Sequence, residues 1–527
     1  MTPRSCWHLN NQTHSGAGQG ATTMATLRVL FVSSEVFPLA KTGGLADVSA
    51  ALPAALAELG VDIRLILPAY PGVLDRVSGL SRKSVCLRHL PGVGEVRLAT
   101  GRLPDTGLPI WLVICPRLFE REGGLYRDRD GQDWPDNAMR FAILNHAAWR
   151  VATGAADPGW RADVIHANDW HAGLLPLFAA SQPAPRPRTV FTIHNMAFQG
   201  LFPYGTAAEL GLPRAQDAAS MEFFGNISFL KAGIVHADRL TTVSPTYARE
   251  ILTPEYGCGL EGVLRQRAGD LTGILNGADY GVWDPADDPY LPCGYSHADI
   301  SGKRTCKSLV QEELGLDVEP ELPLIAFLSR ITHQKMADVV IDAVPRLVEE
   351  GVQFALVAEG DQPLEQEFQA LAGRYPGRVA VRIGYDEAVA HRLQAGADML
   401  LHPSRFEPCG LTPIYAMRYG ALPIVRNVGG PVDIVSDALP EAVSRGVATG
   451  FVFNEPTVVD MHACLRRAIA MYQQPLSWRR IQLEAMRQDF GWERSAEQYL
   501  ALYQSLTKGS PEQPRTAEAG LRARAGA

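Results

Sequence analysis

The chain has 527 residues, of which 46% are hydrophobic and 20% charged. It is too long for one ordinary core, so two or more domains are expected. The net charge of -8 excludes a basic field for nucleic acid, and an anionic ligand must be met by a few local cations. No run approaches the roughly 20 apolar residues that span a bilayer, so no membrane partner is predicted. The eight cysteines form no CxxC pair and are too dispersed for a disulfide scaffold, which favours a cytoplasmic protein.

Both ends of the chain differ in composition from the rest. Residues 1–26 are polar and lack the features of a secretory signal, so we interpret them as a disordered or wrongly assigned extension, with Met24 as an alternative start. Residues 508–527 are rich in Arg, Ala, Gly and Pro and are predicted to form a disordered tail.

The first half of the chain alternates between strand and helix patterns. Residues 27–33 form an apolar run, 46–59 have helical spacing ended by Gly60, and 61–67 form the next strand. Further strands are predicted at 163–166, 189–194 and 239–243. These βαβ units predict a doubly wound, Rossmann-like α/β domain over residues 27–275.

A second series of the same kind follows a loop-rich segment, 276–321, which we interpret as a hinge. Predicted strands are 323–329, 353–358, 379–383, 398–402 and 422–425, and predicted helices are 336–349 and 410–419. Two doubly wound domains that face each other enclose a cleft, and ligands lie at the carboxyl ends of the strands in such sheets. The chemistry is therefore expected in the loops that follow the strands.

The loop after the first strand carries Lys41, Gly43 and Gly44 at a helix start. Glycines there let backbone amides approach a ligand, and the helix dipole favours an anion. Lys41 would add a full charge against a phosphate. The pattern is neither GxGxxG nor a Walker loop, and a plain tight turn is the alternative.

Two clusters of polar and aromatic residues follow later strands, at 166–173 and 194–200. Their His, Asn, Asp, Gln and Trp side chains suit a sugar, whose hydroxyls need mixed donors and acceptors and whose ring stacks on an aromatic face. Four of these side chains could be proposed as metal ligands: His166, Asp169, His171 and His194. No carboxylate motif supports that hypothesis, so no metal is predicted, and a structural hydrogen bond is the alternative for each histidine.

Two cations lie five residues apart in the second half, where Arg330 and Lys335 follow a strand. A turn would bring both side chains onto one diphosphate. The Arg guanidinium would form two parallel hydrogen bonds to it, and the Lys ammonium would act as a compact positive charge. The alternative is a surface loop with two solvated charges. Tyr385 also follows a strand and either stacks on a base or packs in the core.

The segment 402–413 combines Glu407 with the free amides of Gly410, Leu411 and Thr412 at a helix start. A carboxylate beside a phosphate pocket is best explained if it binds sugar hydroxyls or stabilises positive charge on a reacting carbon. Cys409 is a candidate nucleophile, although most such cysteines are packing residues.

Together these motifs resemble those of bacterial glycogen synthases and plant starch synthases, and the resemblance runs from about residue 27 to 503. The matching segments are Lys41-Thr42-Gly43-Gly44-Leu45, 169–173, His194-Asn195, 225–233, 244–248, Asn276-Gly277, Ser329-Arg330, Gln334-Lys335, 383–385 and 403–412. Matches this numerous and in this order are specific, where any one alone would be weak.

The resemblance implies the glycosyltransferase-B fold, with two Rossmann-like domains facing a deep interdomain cleft. The acceptor glucan would bind domain 27–275 and the nucleotide domain 276–488, with helix 489–507 crossing back to the first domain. It implies catalytic roles for Glu407, His194, Lys41, Arg330 and Lys335. Donor-binding roles are implied for Lys41, Gly44, Asn276, Arg330, Lys335, Tyr385, Gly410, Leu411 and Thr412, and weaker sugar or acceptor roles for Asp47, Tyr126, Asp169 and His171.

The activity implied by the resemblance is transfer of glucose, with retention, from ADP-glucose to the non-reducing end of an α-1,4-glucan, without a cofactor or metal. A double displacement would need a carboxylate nucleophile beneath the ring, as in retaining glycosidases. No convincing one is present, which favours a front-face reaction with the leaving phosphate as base. The sequence does not specify the oligomeric state.

Four departures from the family pattern lie in the second half: Met336 where Gly is usual, Glu359 in a small-residue turn, Pro431 in a GGLAD-like stretch, and Ala278 where Val or Ile is common. They bear on donor choice more than on fold. The alternatives are therefore a member adapted to another nucleotide sugar and a non-catalytic glucan-binding homologue. An epimerase fits less well because it has no need for the long acceptor-side match, and a phosphorylase fits less well because no motif designates a Schiff-base lysine.

Overall fold

The computed structural model describes residues 26–83, 93–212, 214, 216–384 and 386–507. Residues 1–25 of the predicted extension, the predicted tail 508–527 and Tyr385 lie outside the described residues, so the hypotheses about them stay predictions.

The first domain is built on a sheet that has nine strands within the described ranges. Its spatial order is Leu271–Gly273, Arg239–Thr242, Arg188–Ile193, Val164–Asn168, Arg28–Val32, Asp62–Pro68, Pro109–Ile114, Arg97–Arg102 and Ser78–Lys83. The first seven run parallel, and the last two pair antiparallel with their neighbours. The central strands are buried on both faces, which explains their continuous apolar runs.

Helices cover this sheet, and a small antiparallel sheet lies beside it. The helices are Gly44–Glu58, Val73–Arg76, Pro116–Phe119, Asn137–Ala152, Leu174–Ala180, Asp217–Met221, Phe229–His236, Pro245–Glu250 and Glu261–Gln266, with 3-10 turns at Trp170–Ala172, Tyr204–Glu209 and Ala268–Asp270. The small sheet has the order Leu201–Pro203, Asn226–Ser228, Glu222–Phe223.

The second domain contains a parallel sheet of six strands in the part of the chain that the structure describes. Its order is Val379–Ile383, Gln353–Ala358, Leu324–Phe327, Met399–His402, Leu422–Arg426 and Phe451–Phe453. The helices are Gly302–Glu313, Ala337–Glu349, Gln362–Arg374, Glu387–Gly396, Leu411–Arg418, Gly430–Ile434, Pro440–Arg445, Val458–Tyr472 and Pro475–Arg487, with a 3-10 turn at His333–Lys335. The predicted fold class, with two Rossmann-like domains, is confirmed. None of the described helices is long and apolar enough to cross a membrane.

The helix Trp492–Thr507 packs on the first domain, not on the second that precedes it in sequence. Trp492, Tyr499 and Tyr503 are buried in the first domain's core. The Tyr503 hydroxyl lies 2.7 Å from His166 Nδ1, and Thr192 Oγ1 lies 2.6 Å from the other ring nitrogen. His166 therefore has the structural hydrogen bonds that were the alternative to metal binding.

Met336 adopts a left-handed backbone, with φ 52° and ψ 32°, at the start of helix Ala337–Glu349. This conformation suits the glycine usual in the family and costs a larger residue about 1–2 kcal/mol. The Met336 side chain is nevertheless fully buried in the core of the second domain. The methionine at this position therefore packs in the core of the second domain.

We therefore expect Met336→Gly to destabilise the fold, because vacating a buried site outweighs the relief of backbone strain. The expected net loss is about 2 kcal/mol of unfolding free energy. Met336→Leu keeps both the strain and most of the volume and should cost less than about 1.5 kcal/mol. Urea unfolding of both variants measures the difference. A glycine variant as stable as the wild type would contradict the packing role.

Candidate active site

The two domains meet along the loops in which the sequence predicted chemistry. A Cβ placed on Gly44 of the first domain would lie 3.4 Å from Leu411 Cδ1 of the second. Ser244 Oγ donates to the Pro408 carbonyl at 2.8 Å. Asp433 accepts from both the amide and the hydroxyl of Thr246, each at 2.8 Å. The loops from the two domains are therefore in contact and form the two walls of one cleft.

Glu407 is the buried acid at the centre of the second wall. Its Oε2 accepts from Lys335 Nζ, from His402 Nε2 at 2.9 Å and from Ser404 Oγ at 2.9 Å. Burial alone would raise its pKa, but the adjacent Lys335 ammonium and the His402 bond hold that pKa well below its usual range. Glu407 is therefore ionised, and Lys335 is also buried. The sequence did not predict this pairing of two candidate residues.

The helix Leu411–Arg418 begins four residues after Glu407. Gly410 has φ 85°, a left-handed conformation that favours glycine, and it turns the chain into the helix. The first-turn amides of Leu411 and Thr412 have no partner within the helix and point toward its start. A Cβ on Gly410 would lie 3.3 Å from Pro431 Cγ, so the Pro431 departure packs against this turn. The carboxylate and an anion-attracting helix start are thus neighbours.

Lys41 and Asp47 form an ion pair on the opposite wall, with Nζ and Oδ1 2.9 Å apart. Burial raises the pKa of the Asp47 carboxyl, Lys41 opposes this, and Glu387 from the second domain adds to the rise. Lys41 also lies 5.2 Å from the centre of the Phe37 ring. Both predicted residues therefore lie at the first helix start, facing the second domain.

Glu35 holds this loop in place, and sequence reasoning missed it. Its carboxylate accepts from the Thr42 amide and hydroxyl, each at 2.6 Å, and from the Gly43 amide at 3.1 Å. The Tyr126 hydroxyl donates to it at 2.6 Å. An acid so soon after the apolar strand Arg28–Val32 was the available signal, since an acid in such a position is buried only when it is well hydrogen-bonded.

His194 lies at the end of strand Arg188–Ile193, with Nε2 3.1 Å from Asn168 Oδ1. Asn168 donates its amide to the Val32 carbonyl at 3.1 Å, which sets the orientation of its oxygen. Burial lowers the pKa of His194 to about 3, so the ring is neutral. It then donates from Nε2 and leaves Nδ1 as an acceptor for a hydroxyl.

The His171 ring stacks on the Tyr126 ring and on the Trp170 ring, at centroid distances of 4.6 Å and 3.9 Å. His171 is buried, and neither ring nitrogen has a hydrogen-bond partner among the described residues. Asp169 has φ 58° and accepts from the Trp170 amide at 3.1 Å, and burial raises its pKa to about 8. In the described ranges, no three His, Cys, Asp or Glu side chains are grouped to hold a metal ion.

The remaining candidates lie in the second domain or the hinge. Arg330 is exposed in the loop after strand Leu324–Phe327. Asn276 is buried and hydrogen-bonds the Cys409 thiol, whose pKa burial raises to about 12. A thiol held neutral in this way is a packing residue, so the nucleophile alternative for Cys409 is not supported. Tyr385 is outside the described residues.

Glu359 is exposed, and its carbonyl accepts from the Ile331 amide at 2.9 Å, next to Arg330. We expect Glu359→Gly to leave kcat equal or higher and the KM for the donor equal or lower, because removing this carboxylate lowers repulsion of a diphosphate. Initial rates across donor concentrations check this. Glu367→Gln removes the same charge from an exposed position of helix Gln362–Arg374 and is the control. A large loss in the Glu359 variant alone would mean that this carboxylate is needed.

Two Rossmann-like domains, with sugar-type polar groups on one wall and an anion-attracting helix start on the other, define a glycosyltransferase. The model for "Starch synthase catalytic domain" matches residues 28–266 and that for "Glycosyl transferases group 1" residues 315–482. The chain is 50% identical to the glycogen synthase of Paramagnetospirillum magneticum, covering 91% of this chain and 98% of that one. It is 52% identical to the glycogen synthase of Burkholderia thailandensis, covering 91% and 90%.

Solved structures agree with these matches. The catalytic domain of Arabidopsis thaliana starch synthase IV superposes with a TM-score of 0.83 at 31% identity, covering 92% of this chain and 100% of that one. Sucrose-phosphate synthase of Thermosynechococcus elongatus has a TM-score of 0.56 at 18% identity over the same shares and supports the fold alone. The chain belongs to the glycogen and starch synthase family, which confirms the family assignment from the sequence.

Proposed function

We propose that this glycosyltransferase elongates glycogen by transferring glucose, with retention, from ADP-glucose to the non-reducing end of an α-1,4-glucan. The observation that carries the proposal is the buried Glu407–Lys335 pair at the start of helix Leu411–Arg418, facing the Lys41–Gly44 loop across the cleft. The named bacterial relatives support glycogen as product. The Arabidopsis structure holds ADP, which supports an adenine nucleotide as leaving group.

Glucose transfer separates positive from negative charge in the transition state, and the cleft carries groups that can stabilise each of them. Positive charge grows on the anomeric carbon, and the ionised Glu407 supplies a compensating negative charge nearby. Negative charge grows on the leaving phosphate, which the helix-start amides of Leu411 and Thr412 and the cations Lys41 and Arg330 attract. We propose that these groups act in place of a metal. We also propose that the neutral His194 ring accepts a hydrogen bond from a hydroxyl group of the glucose.

Three donors bond the Oε2 atom of Glu407, one of them the Lys335 ammonium. We propose that this carboxylate acts electrostatically and does not attack carbon, because its charge is already compensated by an ammonium in direct contact and no group among the described residues is placed to activate it as a nucleophile. This favours the front-face reaction, in which the leaving phosphate takes the proton of the acceptor hydroxyl. The same residues argue against a non-catalytic binding protein, because binding a glucan alone requires no buried cation.

The test is incorporation of label from ADP-glucose or UDP-glucose into precipitable glucan, with and without glycogen and with EDTA. Glycogen-dependent incorporation from ADP-glucose that survives EDTA is the expected result. Incorporation from UDP-glucose alone would overturn the donor, and loss in EDTA would overturn metal independence. No incorporation from either donor, with glycogen still bound, would favour the non-catalytic homologue.

A further inference from the structure

A short segment of the second domain, residues 429–433, lies directly behind Glu407, and we call it the backing turn. The Gly430 amide donates to the Glu407 carbonyl at 3.0 Å. A Cβ on Gly429 would overlap that carbonyl, and a Cβ on Gly430 would overlap the Cys409 carbonyl. The two backbones are therefore in direct contact with no side chain between them. Because such packing transmits a displacement, a shift of the backing turn also shifts the backbone that carries Glu407.

The first domain holds the backing turn through its short helix Pro245–Glu250. Asp433 accepts from the Thr246 amide at one carboxylate oxygen and from the Thr246 hydroxyl at the other, each at 2.8 Å. Glu250, at the end of the helix, accepts from the Gly429 amide at 2.8 Å. Both ends of the backing turn are thus hydrogen-bonded to one helix of the opposite domain, which fixes the turn relative to that domain.

The residues that follow Glu407 are also held from outside their own sheet. Ser244, the fully buried N-cap of the same helix, donates from Oγ to the Pro408 carbonyl at 2.8 Å. Asn276, in the hinge, hydrogen-bonds the Cys409 thiol. The backbone around Glu407 therefore has fixed contacts on two sides, with the backing turn behind it and the first domain beside it.

Folding of the two domains does not explain these contacts. Each domain has a hydrophobic core of its own, and helix Pro245–Glu250 is anchored in the first through the buried Tyr247. Burial raises the pKa of Glu250, and the Gly429 amide and the Arg426 charge only partly oppose this rise. The Oε2 atom of Glu250 is buried without a hydrogen-bond partner among the described residues. A carboxylate kept in such unfavourable surroundings indicates a role in function.

We propose that Asp433 and Glu250 are positioning residues for glucose transfer, because they fix the backing turn and thereby set the place of Glu407 relative to the first domain. The proposal rests on the proposed function and adds how a carboxylate on one wall of the cleft keeps its distance from the Lys41 loop on the other. Pro431, which departs from the family pattern, lies in the same turn, and its ring restricts the backbone there.

Two substitutions of Asp433 test the positioning role. Asp433→Ala removes both hydrogen bonds to Thr246 and should lower kcat about 10- to 100-fold, since a shift of about 1 Å in a catalytic group has an effect of that size. The KM for ADP-glucose should change less than about twofold, because Glu407 acts on charge that develops in the transition state. Asp433→Asn should keep kcat within about threefold of the wild type, since its oxygen accepts from the Thr246 amide and its NH₂ group can donate to the hydroxyl. An equal fall in kcat in both variants would overturn the proposal.

A matched control separates positioning from loss of stability. Asp437→Ala removes hydrogen bonds to the Val452 amide and to Arg467, both within the second domain. Its urea midpoint should fall by an amount similar to that of Asp433→Ala. Its kcat should stay within about twofold of the wild type, because the lost bonds do not reach the Glu407 backbone. A loss of kcat as large as that of Asp433→Ala would mean that stability alone explains the effect, and would overturn the positioning role.

Alkylation of Cys409 gives a second readout that does not need catalysis. The Cys409 side chain is buried and its backbone contacts the backing turn, so a displaced turn should expose the thiol. Asp433→Ala should raise the rate of labelling by iodoacetamide, located by mass spectrometry, at least about fivefold, and Asp433→Asn and Asp437→Ala should not. An unchanged rate in Asp433→Ala would overturn the proposal. A wild type that transfers no glucose would overturn the proposed function, and the labelling rates would still decide whether Asp433 positions this segment.

Discussion

Replacing Glu407 by glutamine is expected to lower kcat by about 100- to 1,000-fold, since the substitution removes a fixed charge where charge develops in the transition state. It should also destabilise the fold by about 3–5 kcal/mol, because the buried Lys335 ammonium loses its counter-charge. Single-turnover rates and urea unfolding measure the two effects separately.

A double variant separates catalysis from stability. Glu407→Gln combined with Lys335→Met removes both charges and fills the space with an apolar chain, which is often neutral for stability. We expect the double variant to regain most of the lost unfolding free energy while kcat stays low. An active double variant would mean that neither charge is needed for transfer.

The pH dependence of unfolding gives an independent check on the same pair. The folded pKa of Glu407 is depressed, so its contribution is present above the unfolded value of about 4.3 and is lost as the pH falls toward the folded value. The difference in unfolding free energy between the wild type and Glu407→Gln should therefore be flat from pH 8 to about pH 5 and shrink below about pH 4. A difference that grows toward acid pH would contradict an ionised Glu407.

The central strands of both sheets were predictable from the sequence because a strand buried on both faces is a continuous apolar run. Among the predicted strands, Gln353–Ala358 and Val379–Ile383 have the predicted limits, and the others differ by up to a few residues. The strands that were missed in the two main sheets are the parallel Pro109–Ile114, Leu271–Gly273 and Phe451–Phe453 and the antiparallel Ser78–Lys83 and Arg97–Arg102. Strands at a sheet edge mix polar and apolar residues, so their pattern is weak.

The candidate site residues could be placed in loops, but not paired. Lys335 and Glu407 are 72 residues apart, and Glu35 and Tyr126 are 91 apart. No local pattern reports a contact over such separations, since it depends on how the two sheets bring their loops together. Local pattern also failed to show the role of Met336. The sequence suggested that this residue influences donor choice, but its side chain lies in the core of the second domain.

The second large effect is expected from Glu35→Gln, although Glu35 faces the loop and not the cleft. The carboxylate accepts four hydrogen bonds, two at each oxygen. An amide accepts at one oxygen only, so with that oxygen toward the Thr42 and Gly43 amides its NH₂ group would face the Thr42 and Tyr126 hydroxyls, which would have to reorient to accept from it, and the negative charge would be lost. Hydrogen bonds to a charged group contribute about 1.5–3 kcal/mol each, and the loop that carries Lys41 and Gly44 would move.

A displacement of about 1 Å in such a loop costs roughly 100-fold in rate, which is the loss in kcat/KM expected for Glu35→Gln. Initial rates at low donor concentration measure it. Thr42→Val and Tyr126→Phe are graded controls, because each removes one hydroxyl donor and leaves the carboxylate with three. Each should lower kcat/KM by less than about tenfold, since the three remaining hydrogen bonds to the carboxylate still hold the loop and limit its displacement.

A double variant tests whether Glu35 acts through the position of Lys41. If it does, Lys41→Ala should slow the wild type but have little further effect in the Glu35→Gln background, because the displaced loop has already moved the ammonium. A double variant no slower than the slower single variant would therefore place Lys41 downstream of Glu35. If Lys41→Ala instead reduces the rate by the same factor in both backgrounds, the two residues act separately, and Glu35 does not position Lys41 for catalysis.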